Sequence, residues 1–177
     1  MPPLGWRHFL CITIFGMNDK TLFLGYGNPD RGDDGAAWHI LNQLFIDMKK
    51  PDTDLFTSDL VPLNEKVDVW FNFQLLPEYT EIISGYQKAV FIDAHTGEIM
   101  EDLSFQKLTP AYANSPFTHH MTPSSLLSIA ESITGKFPES WMVSVRGYDF
   151  KFDCSLSPKT KELCGQAITL LKDNFLK

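Results

Sequence analysis

Thr21 to Tyr26 is a short apolar run that stops at Gly25-Tyr-Gly-Asn-Pro29, the pattern of a buried strand entering a tight loop. From Asp34 onward the spacing turns helical: Ala37, Ile40, Leu41, Leu44, Phe45 and Met48 recur at three and four, and Lys49-Lys50-Pro51 gives a basic end and a stop. Lys66 to Phe73 alternates Val67, Val69 and Phe71 with Asp68, Trp70 and Asn72, which predicts a strand exposed on one side, near a sheet edge. A short helix is expected over Pro77 to Gln87. Ala89 to Ile92 is an unbroken apolar run ending at Asp93, as a central parallel strand buried on both faces requires. Thr122-Pro123 supplies an N-cap with proline in the first turn, followed by Leu126, Leu127, Ile129, Ala130 and Ile133 as an apolar face. Trp141 to Val145 reads as another strand. The last helix opens at Ser157-Pro158 and directs Leu163, Cys164, Ala167, Ile168, Leu171 and Phe175 inward. Strands alternating with helices predict an α/β three-layer sandwich, a mostly parallel twisted sheet covered by helices on both faces.

The 177 residues suffice for one well-filled core, and neither a repeat nor a low-complexity tract divides them. A single domain is expected over residues 17–177. Met17 followed by Asn-Asp-Lys and then a strand marks residues 1–16 as an extension that the fold does not need. With 15 Lys and Arg against 22 Asp and Glu, the net charge of −7 opposes binding to nucleic acid and to anionic membranes. No apolar run reaches the length of a membrane-spanning helix. Cys11, Cys154 and Cys164 are odd in number and form no C-x-x-C pair, so a reducing cytoplasm is expected. No heptad pattern argues against a monomer.

In open α/β sheets ligands bind beyond the carboxyl ends of the strands, which singles out Asp30, Asp33, Asp34, Asp93 and His95. The G-x-G at Gly25 and Gly27 does not make a dinucleotide site, because Asp30 stands where the third glycine belongs and would repel a pyrophosphate. Asp33 and Asp34 also suit a helix N-terminus without any further function. A carboxylate at Asp93 calls for a positive partner: Arg31, Arg146 or a metal ion. His119-His120 lies in a polar loop before a helix. Two carboxylates and one imidazole could form an open site for zinc or nickel. H-E-x-x-H and G-x-S-x-G are both absent, and no cysteine stands at a recognisable nucleophile position.

The stretch Leu24-Gly-Tyr-Gly-Asn-Pro-Asp-Arg-Gly-Asp-Asp-Gly35 resembles the opening signature of the hydrogenase maturation endopeptidases. The resemblance continues through Gln74-Leu-Leu-Pro-Glu78, Val90-Phe-Ile-Asp-Ala94, Thr118-His-His-Met-Thr-Pro123 with Leu126-Leu127, and Leu156-Ser157. It implies a cytoplasmic protease that removes the C-terminal extension of a nickel-iron hydrogenase large-subunit precursor once nickel is inserted. It also implies metal ligation by Asp34, where some members carry glutamate, by Asp93 and by His119, with His120 as the rival. Nickel is then supplied by the precursor. Asp33 or Asp30 is the expected general base if water is the nucleophile. Gln74 and Asn28 are the expected substrate contacts. At Asn72-Phe73-Gln74 the chain departs from the acidic, glycine-rich turn of some members, so no role of that acid carries over. The competing readings are a non-catalytic chaperone that senses nickel in the precursor and a metallohydrolase acting on small peptides.

Overall fold

The computed structural model describes residues 19–51, 53–56, 59–112 and 121–177. Six strands form one sheet: β1 (Thr21–Tyr26), β2 (Val61–Pro62), β3 (Val67–Asn72), β4 (Lys88–His95), β5 (Leu103–Leu108) and β6 (Glu139–Arg146). Four α-helices accompany them: α1 (Ala36–Asp47), α2 (Tyr79–Ile83), α3 (Pro123–Thr134) and α4 (Pro158–Phe175). The strand order is β2-β3-β1-β4-β6-β5. The inner four strands are parallel, and β2 and β5 close the edges antiparallel. None of the described helices is long and apolar enough to cross a membrane.

Strand alternation divides the core into two layers. Phe23, Val67, Val69, Phe71, Val90, Ile92, Val143 and Val145 face α1 and α4, whose Ile40, Leu41, Leu44, Leu163, Ala167 and Leu171 complete that layer. Leu22, Leu24, Trp70, Ala89 and Phe91 face the other way and meet Ile83, Leu126 and Leu127 from the α2 and α3 side. Both faces of β1 and β4 are therefore dry, which is why their sequences are continuously apolar. Each fully buried Leu or Phe contributes about 1.5–3 kcal/mol. Gly25 permits the close approach of β1 and α1, since a Cβ there would lie 2.6 Å from Leu41 Cδ1.

The expected three-layer α/β sandwich is present, with several local differences. The first helix begins later than Asp34: Gly32–Gly35 form a 3-10 turn, and α1 starts at Ala36. β4 continues to His95, so Asp93 lies two residues inside its strand rather than at its end. Ile133 does not join the apolar face of α3 and is 73% exposed, while Ser128 is buried. Thr122 and Ser157 cap α3 and α4 as expected, accepting from the N–H groups of Ser125 and Thr160. The edge strands β2 and β5 were not legible, because β5 buries only Ser104 and β2 is two residues long.

The alternation in β3 also misled. Asp68 does not face water; it is 4% exposed. Lys20 Nζ donates to both of its oxygens, at 2.9 and 3.1 Å, and the Tyr86 hydroxyl donates at 2.9 Å. A buried carboxylate persists when such donors replace its water. Asp68→Ala leaves Lys20 and Tyr86 without their acceptor and is expected to cost about 2–4 kcal/mol in urea unfolding. Tyr86→Phe, which leaves the ion pair, should cost about 1 kcal/mol.

Candidate functional site

The site begins with the loop that follows β1. Gly27 has φ +132°, and a Cβ there would fall 2.2 Å from the Asp34 carbonyl oxygen, so this turn closes over Asp34 only with glycine. The Asn28 backbone N–H donates to Asp34 Oδ2 at 3.0 Å and fixes that carboxylate. The Asn28 side chain turns back instead and accepts from the Asp30 N–H at 3.0 Å.

Asp34 and Asp93 line one cleft of about 570 Å³ at the carboxyl end of the parallel strands. Tyr26, Phe73, Gln74, Glu98 and the start of α3 at Thr122 and Pro123 supply further wall. The described lining holds three carboxylates and no Lys or Arg. Arg146, one expected partner of Asp93, is instead directed at Asp102, 3.2 Å away. Burial pushes the Asp93 carboxyl up to about 8, and the nearby Asp34 and Glu98 charges add to this. The Ala94 N–H at 2.7 Å and the Tyr26 hydroxyl donate to Asp93 and oppose that rise only in part. The Tyr26 hydroxyl is itself held far above its ordinary range, by burial first and then by Asp93. The cleft thus contains an anionic demand that the described side chains do not meet.

The structure brings together Asp34, Asp93 and Gln74 among the residues expected from sequence. His119 and His120 lie outside the described residues. Among the described residues no three His, Cys, Asp or Glu side chains gather as a metal-binding group. Tyr26 and Glu98 were missed by sequence reasoning. Tyr26 was recoverable, as a polar-tipped side chain ending the strand next to the one that carries Asp93.

The two candidate general bases stand elsewhere. Asp33 is fully buried and is not among the cleft-lining residues. Its Oδ2 accepts from the N–H groups of Tyr148 and Asp149 at 2.7 and 2.9 Å and contacts the Ser157 and Thr160 hydroxyls at 2.7 and 2.8 Å. Its Oδ1 accepts from the Ser157 N–H at 2.7 Å. Burial alone raises this carboxyl, but those donors outweigh it and hold Asp33 below its ordinary value. Asp33 is enclosed, bonded on both oxygens and outside the cleft, so the structure gives it a structural role in place of the expected general base. Asp30 is exposed on the far side of the loop, where the Cys154 thiol donates to it at 3.4 Å.

The two aspartates make opposite predictions. Asp33 has a lowered folded value, so its contribution is complete above the ordinary 3.8 and is lost as pH falls through the folded value. Asp33→Asn should cost about 2–4 kcal/mol at neutral pH, with the deficit against wild type shrinking in thermal melts below pH 3.8. Asp93 has a raised folded value, so folding takes up a proton between 3.8 and about 8 and stability falls as pH rises through that window. Asp93→Asn should melt at least about 4 °C above wild type at pH 8 and lose that advantage near pH 4.

No family model matches this sequence, and no curated protein matches it. Solved structures do. The NiFe hydrogenase maturation protease HycI from Thermococcus kodakarensis KOD1 superposes with a TM-score of 0.63 at 17% identity, over 93% of this chain and 97% of that one. The hydrogenase maturating endopeptidase HybD from E. coli superposes at 0.58 with 16% identity, over 87% and 93%. The hydrogenase 2 maturation peptidase from a Thaumarchaeota archaeon superposes at 0.55 with 21% identity, over 87% and 96%. Each superposition spans at least 87% of this chain and at least 93% of the other, and the protein therefore has the fold of these hydrogenase maturation proteases.

Proposed function

We propose that this protein is an endopeptidase that removes the C-terminal extension of a nickel-iron hydrogenase large-subunit precursor after nickel insertion. The observation that carries the reading is the convergence of Asp34 and Asp93 on one acidic cleft whose described lining holds no cation, in a fold shared with proteases of hydrogenase maturation. Nickel belongs to the substrate here and enters with the precursor. Two oxygen donors and one imidazole, from His119 or alternatively His120, suit a divalent transition metal.

The chain's own groups then have defined tasks. The Asn28 N–H holds Asp34, and the Tyr26 hydroxyl and Ala94 N–H hold Asp93, so both ligand oxygens are oriented before the substrate arrives. A precursor without nickel brings no cation to the three carboxylates of the described lining and loses the attraction that a loaded one gains, which makes the ion a check on readiness. Gln74, carrying both a donor and an acceptor, is placed to bind substrate backbone beside the ion.

Intact mass spectrometry of a cognate precursor tests the reading. A C-terminal peptide should be lost only from nickel-loaded precursor. Asp34→Ala and Asp93→Ala should each slow processing by about a hundredfold or more while the thermal transition stays cooperative, and Tyr26→Phe by about tenfold. Nickel-dependent association without a mass change would replace the protease by a chaperone, and equal cleavage of nickel-free precursor would remove the metal check.

A further inference from the structure

An aromatic ladder runs outward from the cleft. The rings of Phe56 and Phe73 stack with centroids 6.3 Å apart and planes 27° from parallel, and Trp38 of α1 also stacks on Phe56, 5.9 Å away at 21°. Phe71, buried at the end of β3, stands beneath both phenylalanines, edge-on to Phe56 at 5.9 Å and 89° and inclined to Phe73 at 6.3 Å and 63°. The ladder is therefore fixed to the sheet at one end. Yet Phe56 is 53% exposed and Phe73 59%. Two aligned phenyl rings left half in water are poorly explained by stability alone, and contiguous exposed apolar surface of this kind marks recognition.

What covers it follows from Phe73, which belongs to both features: it stacks in the ladder and lines the cleft beside Gln74. Phe73 thus sets the ladder directly against the cleft wall that carries Gln74. The cleft itself, with Asp34, Asp93 and Glu98, repels acidic segments, so the adjoining shelf offers its binding energy to apolar ones. We propose that Phe56 and Phe73, with Trp38 behind them, form a specificity subsite that binds a large apolar side chain of the precursor next to the bond that is cut. This rests on the endopeptidase reading for the identity of the substrate, but its energetics can be measured by binding alone. The rings are pre-aligned by Trp38 and Phe71, so a bound aliphatic or aromatic side chain loses freedom on its own part without reordering the shelf.

The test uses the full chain and nickel-loaded cognate precursor, with steady-state processing and equilibrium binding measured side by side. Phe56→Ala with Phe73→Ala should raise KM and Kd about tenfold or more with kcat within about twofold of wild type. Phe152→Ala, which removes an 89% exposed ring off the ladder, should change neither. If the double variant melts well below wild type, the single Phe73→Asp, at the exposed outer ring, replaces it and should raise KM and Kd at least as much. Normal cleavage with unchanged KM and Kd in the ladder variants would overturn the subsite and leave the protease standing. Ladder-dependent binding without cleavage by wild type would keep Phe56 and Phe73 as an apolar precursor-binding surface but overturn both its place beside a scissile bond and the protease. Neither binding nor cleavage by wild type would overturn both.

Discussion

The Asp33 carboxylate is the point on which the geometry of this protein depends. Its oxygens collect the chain from three places: the loop after β6 through Tyr148 and Asp149, the cap of α4 through Ser157, and the first turn of α4 through Thr160. The backbone reinforces the same junction, with Asp33 N–H donating to the Asp149 carbonyl and Asp153 N–H to the Asp30 carbonyl. Gly147 makes room for it, since a Cβ there would lie 2.9 Å from Asp33 Cβ and 2.4 Å from Phe150. The loop after β1 is thereby fastened to the start of α4, more than a hundred residues away in sequence. A loop with few apolar side chains acquires through one buried anion the rigidity that packing gives the rest of the core.

That rigidity is what positions the neighbouring residue. Asp33 and Asp34 occupy consecutive places in a 3-10 turn, where successive side chains diverge by about 120°. One points into the α4 junction and the other into the cleft. The same residue type then serves opposite ends. Asp33 is stabilised as an anion by N–H and O–H donors, whereas Asp93, across the cleft from the loop, is raised by burial to about 8 with two further carboxylates nearby. The protein holds one carboxylate satisfied so that the others can be left wanting, and the stability lost at Asp93 is small beside two continuous hydrophobic layers.

Sequence reading recovered the elements whose signal is local. β1 and β4 are dry on both faces and read as unbroken apolar runs, and α3 and α4 announce themselves by Thr122-Pro123 and Ser157-Pro158. Asp34 and Asp93 were legible because each sits near the carboxyl end of a parallel strand, where ligands bind in such sheets. Contacts set by tertiary structure were not legible. Asp68 looked like the wet face of an amphipathic strand until Lys20 and Tyr86, distant in sequence, were seen to pair with it. Asp33 could not be told from Asp34 by position, because what separates them is a set of donors from residues 148 to 160. Ile133 has helical spacing but is 73% exposed and does not join the layer it was expected to fill.

The division of labour between the two faces of the sheet follows from the same constraint. Asp33 ties its loop to α4, so the α1 and α4 layer is fastened to the carboxyl end of the sheet. The other layer has a five-residue α2 and an α3 that begins at the cleft wall, with Thr122 and Pro123 forming part of the lining. Asp93 lies on that side of β4, in register with Phe91 of the α2 and α3 layer. The Leu75–Pro77 and Thr122–Pro123 walls come from that second layer, whereas Asp34 is carried by the loop that Asp33 fastens to α4. The two aspartates of the cleft are therefore anchored in different ways, Asp34 from a loop tied down by one buried anion and Asp93 from a central strand packed on both faces.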